Sequence, residues 1–194
     1  RQQVVDMFAN VDQSLATQIA EHVGVKAPRG SHVDITTSSP VVSEANTIYS
    51  AATQKVAVLI GNGYNGAEIK AVLTALDQNL VFYDVISDQL GPVTGADNAV
   101  VIANKSFLTT FPVLYDALYV VGGTAKDQSM FDLEVENYIN MAYRHYKPIG
   151  IASSGDKYMK KPGNKAGVVF ANDSSSFEDD FIAAISKQRF WDRT

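Results

Sequence analysis

Lys55-Val56-Ala57-Val58-Leu59-Ile60-Gly61-Asn62-Gly63-Tyr64-Asn65-Gly66 joins an unbroken apolar run to a glycine-rich turn. The run is the pattern of a strand buried on both faces. Helix formers follow from Ala67 to Gln78, with Ile69, Leu73 and Leu76 on one side. Strand, glycine turn and helix together open a parallel α/β unit.

The pattern repeats downstream. Leu80 to Ile86 reads as a second strand. Gly91-Pro92 and Gly95-Ala96-Asp97-Asn98 read as turns of a hairpin-like excursion through Ala99 to Ala103. Ala117 to Val121 is another buried strand, closed by Gly122-Gly123. Asp127 to Tyr146 reads as the best helix, with Phe131, Val135, Tyr138, Ile139 and Ala142 facing the core and Asp127 or Ser129 as its cap. Pro148 to Ser153 and Gly167 to Ala171 are strands, and Ser174 to Arg189 a closing helix. The alternation predicts a doubly wound parallel sheet with helices on both faces. Ligands of such sheets sit beyond the carboxyl ends of the strands, here after Ile60, Val121 and Ala152.

The totals fit one such domain with chain left over. The 194 residues are 46% apolar and 19% charged, enough for a core and against disorder throughout. The net charge is −5, with no basic stripe, so nucleic acid is not an expected partner. No apolar run reaches the length of a membrane span. The absence of cysteine removes thiolate chemistry and disulfides and leaves the compartment open. His22, His32 and His145 are too scattered to suggest a metal cage. The start at Arg1, without a signal-peptide pattern, suggests a fragment or processed product.

Ahead of the α/β pattern, Val4, Phe8, Val11, Leu15, Ile19 and Val23 recur at three- and four-residue steps. They predict one helix with a continuous apolar stripe, stopped at Gly24. The stripe either packs within its own domain or has lost a partner. Ala27-Pro28-Arg29-Gly30-Ser31 and Thr36-Thr37-Ser38-Ser39-Pro40 are linker chemistry. The chain thus divides into a helix at 1–24, a linker at 25–54 and an α/β domain at 55–194.

Two motifs invite functional readings. Gly61, Gly63 and Gly66 form a literal G-x-G-x-x-G that could admit a pyrophosphate, with Asp84 or Asp88 as the ribose acid. Its structural alternative is a capping box of Asn65 and Glu68. Lys147-Pro148-Ile149-Gly150-Ile151-Ala152-Ser153-Ser154-Gly155 is a strand running into a sharp turn, with Ser153 at the tip of a nucleophile elbow. A serine hydrolase needs a base within reach, and His145 precedes the strand, at its far end. Ile151 also stands where G-x-S-x-G requires glycine. The structural alternative is a turn or capping serine. Asp127, Asp132, Glu134 and Glu136 read as a solvated helix face, and Glu178-Asp179-Asp180 as acids in a first turn.

The region from Lys55 to Arg189 resembles the class I glutamine amidotransferase-like, PfpI-type superfamily of flavodoxin-like folds. Ile60 to Glu68 is similar to its first loop, and Asp116 to Gly123 to its D-A-hydrophobic-P-G-G strand with Val121 in place of proline. Lys147 to Gly155 is similar to its elbow. By that resemblance, active members carry cysteine where this chain has Ser153, often histidine at Ser154, and a glutamate at Asn65. All three differ, which implies no peptidase, deglycase or glyoxalase chemistry and no catalytic residue.

A finer resemblance is to the C-terminal domain of large-subunit haem catalases. It rests on Leu90 to Asp97, Phe107-Leu108-Thr109, Val113 to Ala117, Ala142 to Pro148, Phe181 to Ile185 and Arg189-Phe190-Trp191. Val5 to Asp12 resembles the last helix of the catalase body, and residues 25–53 its connector. The likeness implies a bacterial or fungal source, a fungal one being expected, with a cytoplasmic or a secreted, cell-wall location. It implies haem in the longer protein but none in this chain, because the haem tyrosine and distal histidine belong to the barrel. The implied partners are the catalase barrel and the other subunits of a homotetramer. The implied role is non-catalytic support of assembly. Chaperone-like binding of unfolding proteins by the Val4, Phe8, Val11, Leu15 and Ile19 stripe is the alternative, and nucleotide binding at the glycine loop a weaker one.

Overall fold

The computed structural model describes residues 1–30, 48–124, 129–159 and 162–193. His32, Thr36 to Pro40 and the proposed Asp127 cap lie outside the described residues, as does the Ser129 side chain. Two compact units are present, Arg1–Ile48 and Tyr49–Thr194.

In the larger unit the first apolar run is strand β1, Lys55–Ile60, buried from Val56 onward. The turn leads into helix α3, Gly66–Gln78, and then into β2, Phe82–Ser87. The expected excursion is an antiparallel hairpin of β3, Gly91–Thr94, and β4, Val100–Ala103. Gly91-Pro92 opens its first strand; the turn is confined to the residues after Thr94. A short strand β5, Lys105–Ser106, follows, then β6, Ala117–Gly122, and helix α4, Ser129–Arg144. The chain closes with β7, Ile149–Ile151, β8, Val168–Phe170, and helix α5, Phe177–Lys187.

The main sheet runs β5-β2-β1-β6-β7-β8, with every pairing parallel. Order reverses at β1, which creates the crevice between the loops after β1 and β6. Each face of the sheet carries its own core. On one, Val56, Val58 and Tyr119 pack with Ile69, Val72 and Leu76 of α3 and Phe181 and Ile185 of α5. On the other, Ala57, Leu59 and Val120 pack with Phe131, Val135, Tyr138, Ile139 and Ala142 of α4. The expected α4 core face is thus fully buried. Phe107 stands edge-on to Phe131 at 5.7 Å and to Tyr138 at 5.4 Å, which seats the segment before β6 on α4. Packing of this unit begins before Lys55, since Ala51 is already in the core.

The smaller unit differs from the single helix expected. Helix α1, Gln2–Ala9, ends three residues before Asp12, whose carboxylate accepts from the Leu15 N–H at 2.7 Å and starts α2, Gln13–Val23. The break turns the chain, so the faces in contact are Val5, Ala9, Ala16 and Ala20. Three alanines at the seam let the helices approach closely. Val4, Val11 and Leu15 of the expected stripe are exposed, while Phe8, Ile19 and Val23 flank the seam. Gly24 does end α2, in the left-handed conformation at φ 67°. The Gln13 side chain then holds the returning chain, donating to the Pro28 carbonyl at 2.7 Å and accepting from the Gly30 N–H at 2.7 Å.

Candidate functional site

The loops beyond β1, β6 and β7 converge on an open cavity of about 410 Å³ lined by Gly63, Asn65, Gly66, Ala96, Asp97, Thr124 and Ser154. The resemblance set Asn65 and Ser154 at one site and the glycine loop was a separate motif; the fold brings Gly63, Asn65, Gly66 and Ser154 to this one cavity. Sequence reasoning did not foresee the hairpin residues Ala96 and Asp97. Their arrival fixes the glycine loop: the Gly63 N–H donates to Thr94 O at 2.7 Å, and the Ala96 N–H to Tyr64 O at 2.9 Å. Tyr64 is fully buried and donates its hydroxyl to the Ala99 carbonyl at 2.9 Å. From the other side the Thr124 hydroxyl donates to Gly63 O at 2.8 Å.

This stitching engages several of the loop's N–H donors. The Gly61 N–H donates to Gly122 O at 2.8 Å. The Asn65 side-chain oxygen accepts from the Ala67 N–H at 3.0 Å and the Glu68 N–H at 3.3 Å, capping α3. The N-cap reading of Asn65 therefore holds, but Glu68 does not complete a reciprocal box. One of its carboxylate oxygens is buried without a hydrogen bond among the described residues. Gly66 serves packing: a Cβ there would strike the Asp97 carboxylate. Gly61, Gly63 and Gly66 thus shape a loop bonded to its neighbours rather than an open phosphate cradle.

The expected ribose acids are placed elsewhere. Asp84 lies within β2 and pairs with Lys55 at 2.7 Å. It also accepts from the Tyr115 hydroxyl at 3.0 Å and the Asn104 amide at 2.9 Å. Burial opposes its ionisation, but these hydrogen bonds and the Lys55 charge outweigh burial and hold the carboxyl below its ordinary range. Asp88 is exposed, and its carboxyl is raised by burial of its oxygens and by Asp132 and Glu134. Asp132 is therefore more than a solvated face residue, since it accepts from the Tyr158 hydroxyl at 2.6 Å.

At the elbow the structure corrects the sequence reading. The segment Ser153–Tyr158 is a 3-10 turn, entered from Ala152 at φ −66° and ψ 163°. Ser153 is absent from the residues with positive φ, so the strained geometry of a nucleophile elbow is missing. The Ser153 side chain is exposed, and among the described residues nothing hydrogen-bonds to its hydroxyl. The Ser154 hydroxyl donates to the Val121 carbonyl at 2.5 Å. The left-handed residue near this turn is Gly122, φ 78°, where a Cβ would meet the Tyr158 ring at 2.8 Å. His145 follows α4, before β7, and lines a different cavity. Among the described residues no hydrogen bond joins Ser153 to an acid or a base.

A family model described as the C-terminal domain found in long catalases matches residues 52–194. The chain belongs to that family. It is 40% identical over its whole length to "Catalase" of Alkalihalophilus pseudofirmus and 42% identical to "Catalase-2" of Bacillus subtilis. It spans 29% of the length of each. "Catalase-1" of Neurospora crassa is 24% identical over 98% of the chain and 30% of its own length. The expectation of a fungal source finds no support, since the relatives at 40 and 42% are bacterial. The fold of this catalase C-terminal domain is also that of a ThiJ/PfpI domain protein from Brachyspira murdochii. That structure matches at a TM-score of 0.58 and 14% identity, over 70% of this chain and 98% of its own.

Among the described residues no three His, Cys, Asp or Glu side chains converge on a metal site. Tyr146, a potential oxygen ligand beside His145, has its ring packed on Trp191 at 5.3 Å.

Proposed function

We propose that this chain is the non-catalytic accessory part of a long catalase, supporting folding and subunit assembly while peroxide chemistry takes place in the rest of the protein. One observation carries the reading. At the three positions where PfpI-type relatives hold reactive groups, Asn65 and Ser154 are bonded to backbone, and Ser153 is exposed without a base. The walls of the crevice persist, while the cysteine, histidine and glutamate of the PfpI-type pattern are replaced by Ser153, Ser154 and Asn65. Residues 1–24 would then be the last helices of the catalase body, 25–54 the connector and 55–194 the domain proper. The implied partners are the catalase barrel and other subunits of the assembly.

The test compares a long catalase with a version lacking the region matching residues 49–194. Thermal inactivation and subunit state by light scattering are the readouts. The truncated enzyme should inactivate at lower temperature or lose subunits. Equal stability and assembly would overturn the proposal.

The smaller unit favours a second reading, chaperone-like binding of unfolding proteins. Val4, Met7, Val11 and Leu15 are exposed on the helical pair, at 53, 71, 70 and 41%. Heat aggregation of a client protein tests it: the whole chain should suppress aggregation, and removal of residues 1–24 should weaken suppression. Identical protection by both would place the client surface elsewhere.

A further inference from the structure

At the opposite end of the sheet from the crevice, where β6 and β7 begin, lies a second cavity of about 350 Å³. Its walls include Val113, His145, Tyr146, Lys147, Arg189 and Trp191, and among the described residues no acidic one lines it. In a chain of net charge −5 that is a local reversal of sign. We infer that this cavity binds small organic carboxylates with an apolar, ring-sized body.

The cations are built in. Lys147 is 8% exposed, and its ammonium donates to the carbonyls of Tyr115 at 2.5 Å and Pro112 at 2.9 Å. An ammonium has three donors, so one N–H remains. Arg189 is half-buried and gives one guanidinium hydrogen to the Gln188 carbonyl at 2.8 Å. Neither Lys147 nor Arg189 forms an ion pair among the described residues. Burial depresses the Lys147 ammonium and the neighbouring Arg189 charge depresses it further, with Asp116 acting the other way. The negative charge of an entering carboxylate would offset the Arg189 repulsion. The carboxylate's charge-assisted hydrogen bonds would be stronger than neutral ones.

The apolar half is open to solvent, with Trp191 68% and Val113 76% exposed. Trp191 and Tyr146 are in ring contact, while Val113 and Met141 complete the wall. The two turns that carry these groups are joined, since the Phe190 N–H donates to the Tyr146 carbonyl at 2.9 Å. Tyr146 and Gln188 hold left-handed φ values of 59° and 62°, a conformation that costs energy in non-glycine residues. The volume lies within the range of small-molecule sites and suits a single ring with a short acidic arm.

Trp191 is the sole tryptophan of the sequence, so its fluorescence reports this cavity directly. The experiment titrates the whole chain with phenylacetate and with phenylacetamide, its neutral analogue. Phenylacetate should change the emission saturably, and phenylacetamide should bind about tenfold more weakly. Arg189→Gln should weaken phenylacetate by a similar factor while leaving phenylacetamide unchanged. Amide shifts in an NMR titration should centre on Tyr146, Lys147 and Arg189. The inference is overturned by no saturable response, by equal affinity for the two compounds, or by shifts centred elsewhere. None of these outcomes depends on a role in a long catalase.

Discussion

The Ser154 hydroxyl and the Val121 carbonyl are joined by a 2.5 Å hydrogen bond that ties the turn after β7 to the end of β6. The Ser154 side chain thus acts as a backbone fastener. Ser154→Ala should therefore lower unfolding stability by about 1 kcal/mol, as for one lost hydrogen bond. Ser153→Ala, at an exposed site without a partner, should stay within about 0.5 kcal/mol of the parent. Urea denaturation of both variants measures the difference.

Asn65 is the second reassigned position. Asn65→Ala removes the cap of α3 and should cost about 1 kcal/mol. Asn65→Asp keeps a side-chain oxygen and adds a charge favourable to the helix start, so its stability should equal or exceed that of the unmodified chain. Thermal melts in low salt separate the two outcomes.

Asp84 predicts the acid limb of stability. Its carboxyl is held below the ordinary value, so its contribution is complete above about pH 3.9, the unfolded value. It is lost as pH falls through the lower folded value. Asp84→Asn should flatten that limb and reduce neutral-pH stability by about 1–3 kcal/mol. The Lys55 side chain is 41% exposed, so solvent screens that pair and the loss should lie towards the smaller figure. Denaturant titrations across the acid range measure it.

Two buried tyrosines should respond in opposite ways to losing their hydroxyls. Tyr119 is fully buried, and its hydroxyl has no hydrogen bond among the described residues. Tyr119→Phe should leave stability unchanged or raise it by up to about 1 kcal/mol. Tyr138 donates to the Thr110 carbonyl at 2.9 Å, so Tyr138→Phe should cost about 1 kcal/mol. Parallel melts of the two variants test the contrast.

Much of this architecture was legible because the larger unit obeys local rules. The run from Val56 to Ile60 and the spacing of Phe131, Val135, Tyr138, Ile139 and Ala142 each name their element and buried face. Asn65 was readable as a cap because its chemistry acts within a few residues. The two-residue strand β5 was not, since Lys105-Ser106 has no periodicity and is defined by its pairing with β2. The helical pair was misread because Val4 to Val23 satisfies a helical period throughout, while one cap at Asp12 interrupts it. The anion cavity was hidden for a different reason. Lys147 and Arg189 lie on either side of β7, β8 and α5, and only the packed sheet brings them together.

The account rests on the absence of an activated nucleophile in the crevice. The direct measurement is intact-mass spectrometry of the whole chain after exposure to a fluorophosphonate, which labels activated serines covalently. The account predicts an unmodified mass. A stoichiometric adduct that disappears in Ser153→Ala or Ser154→Ala would contradict it.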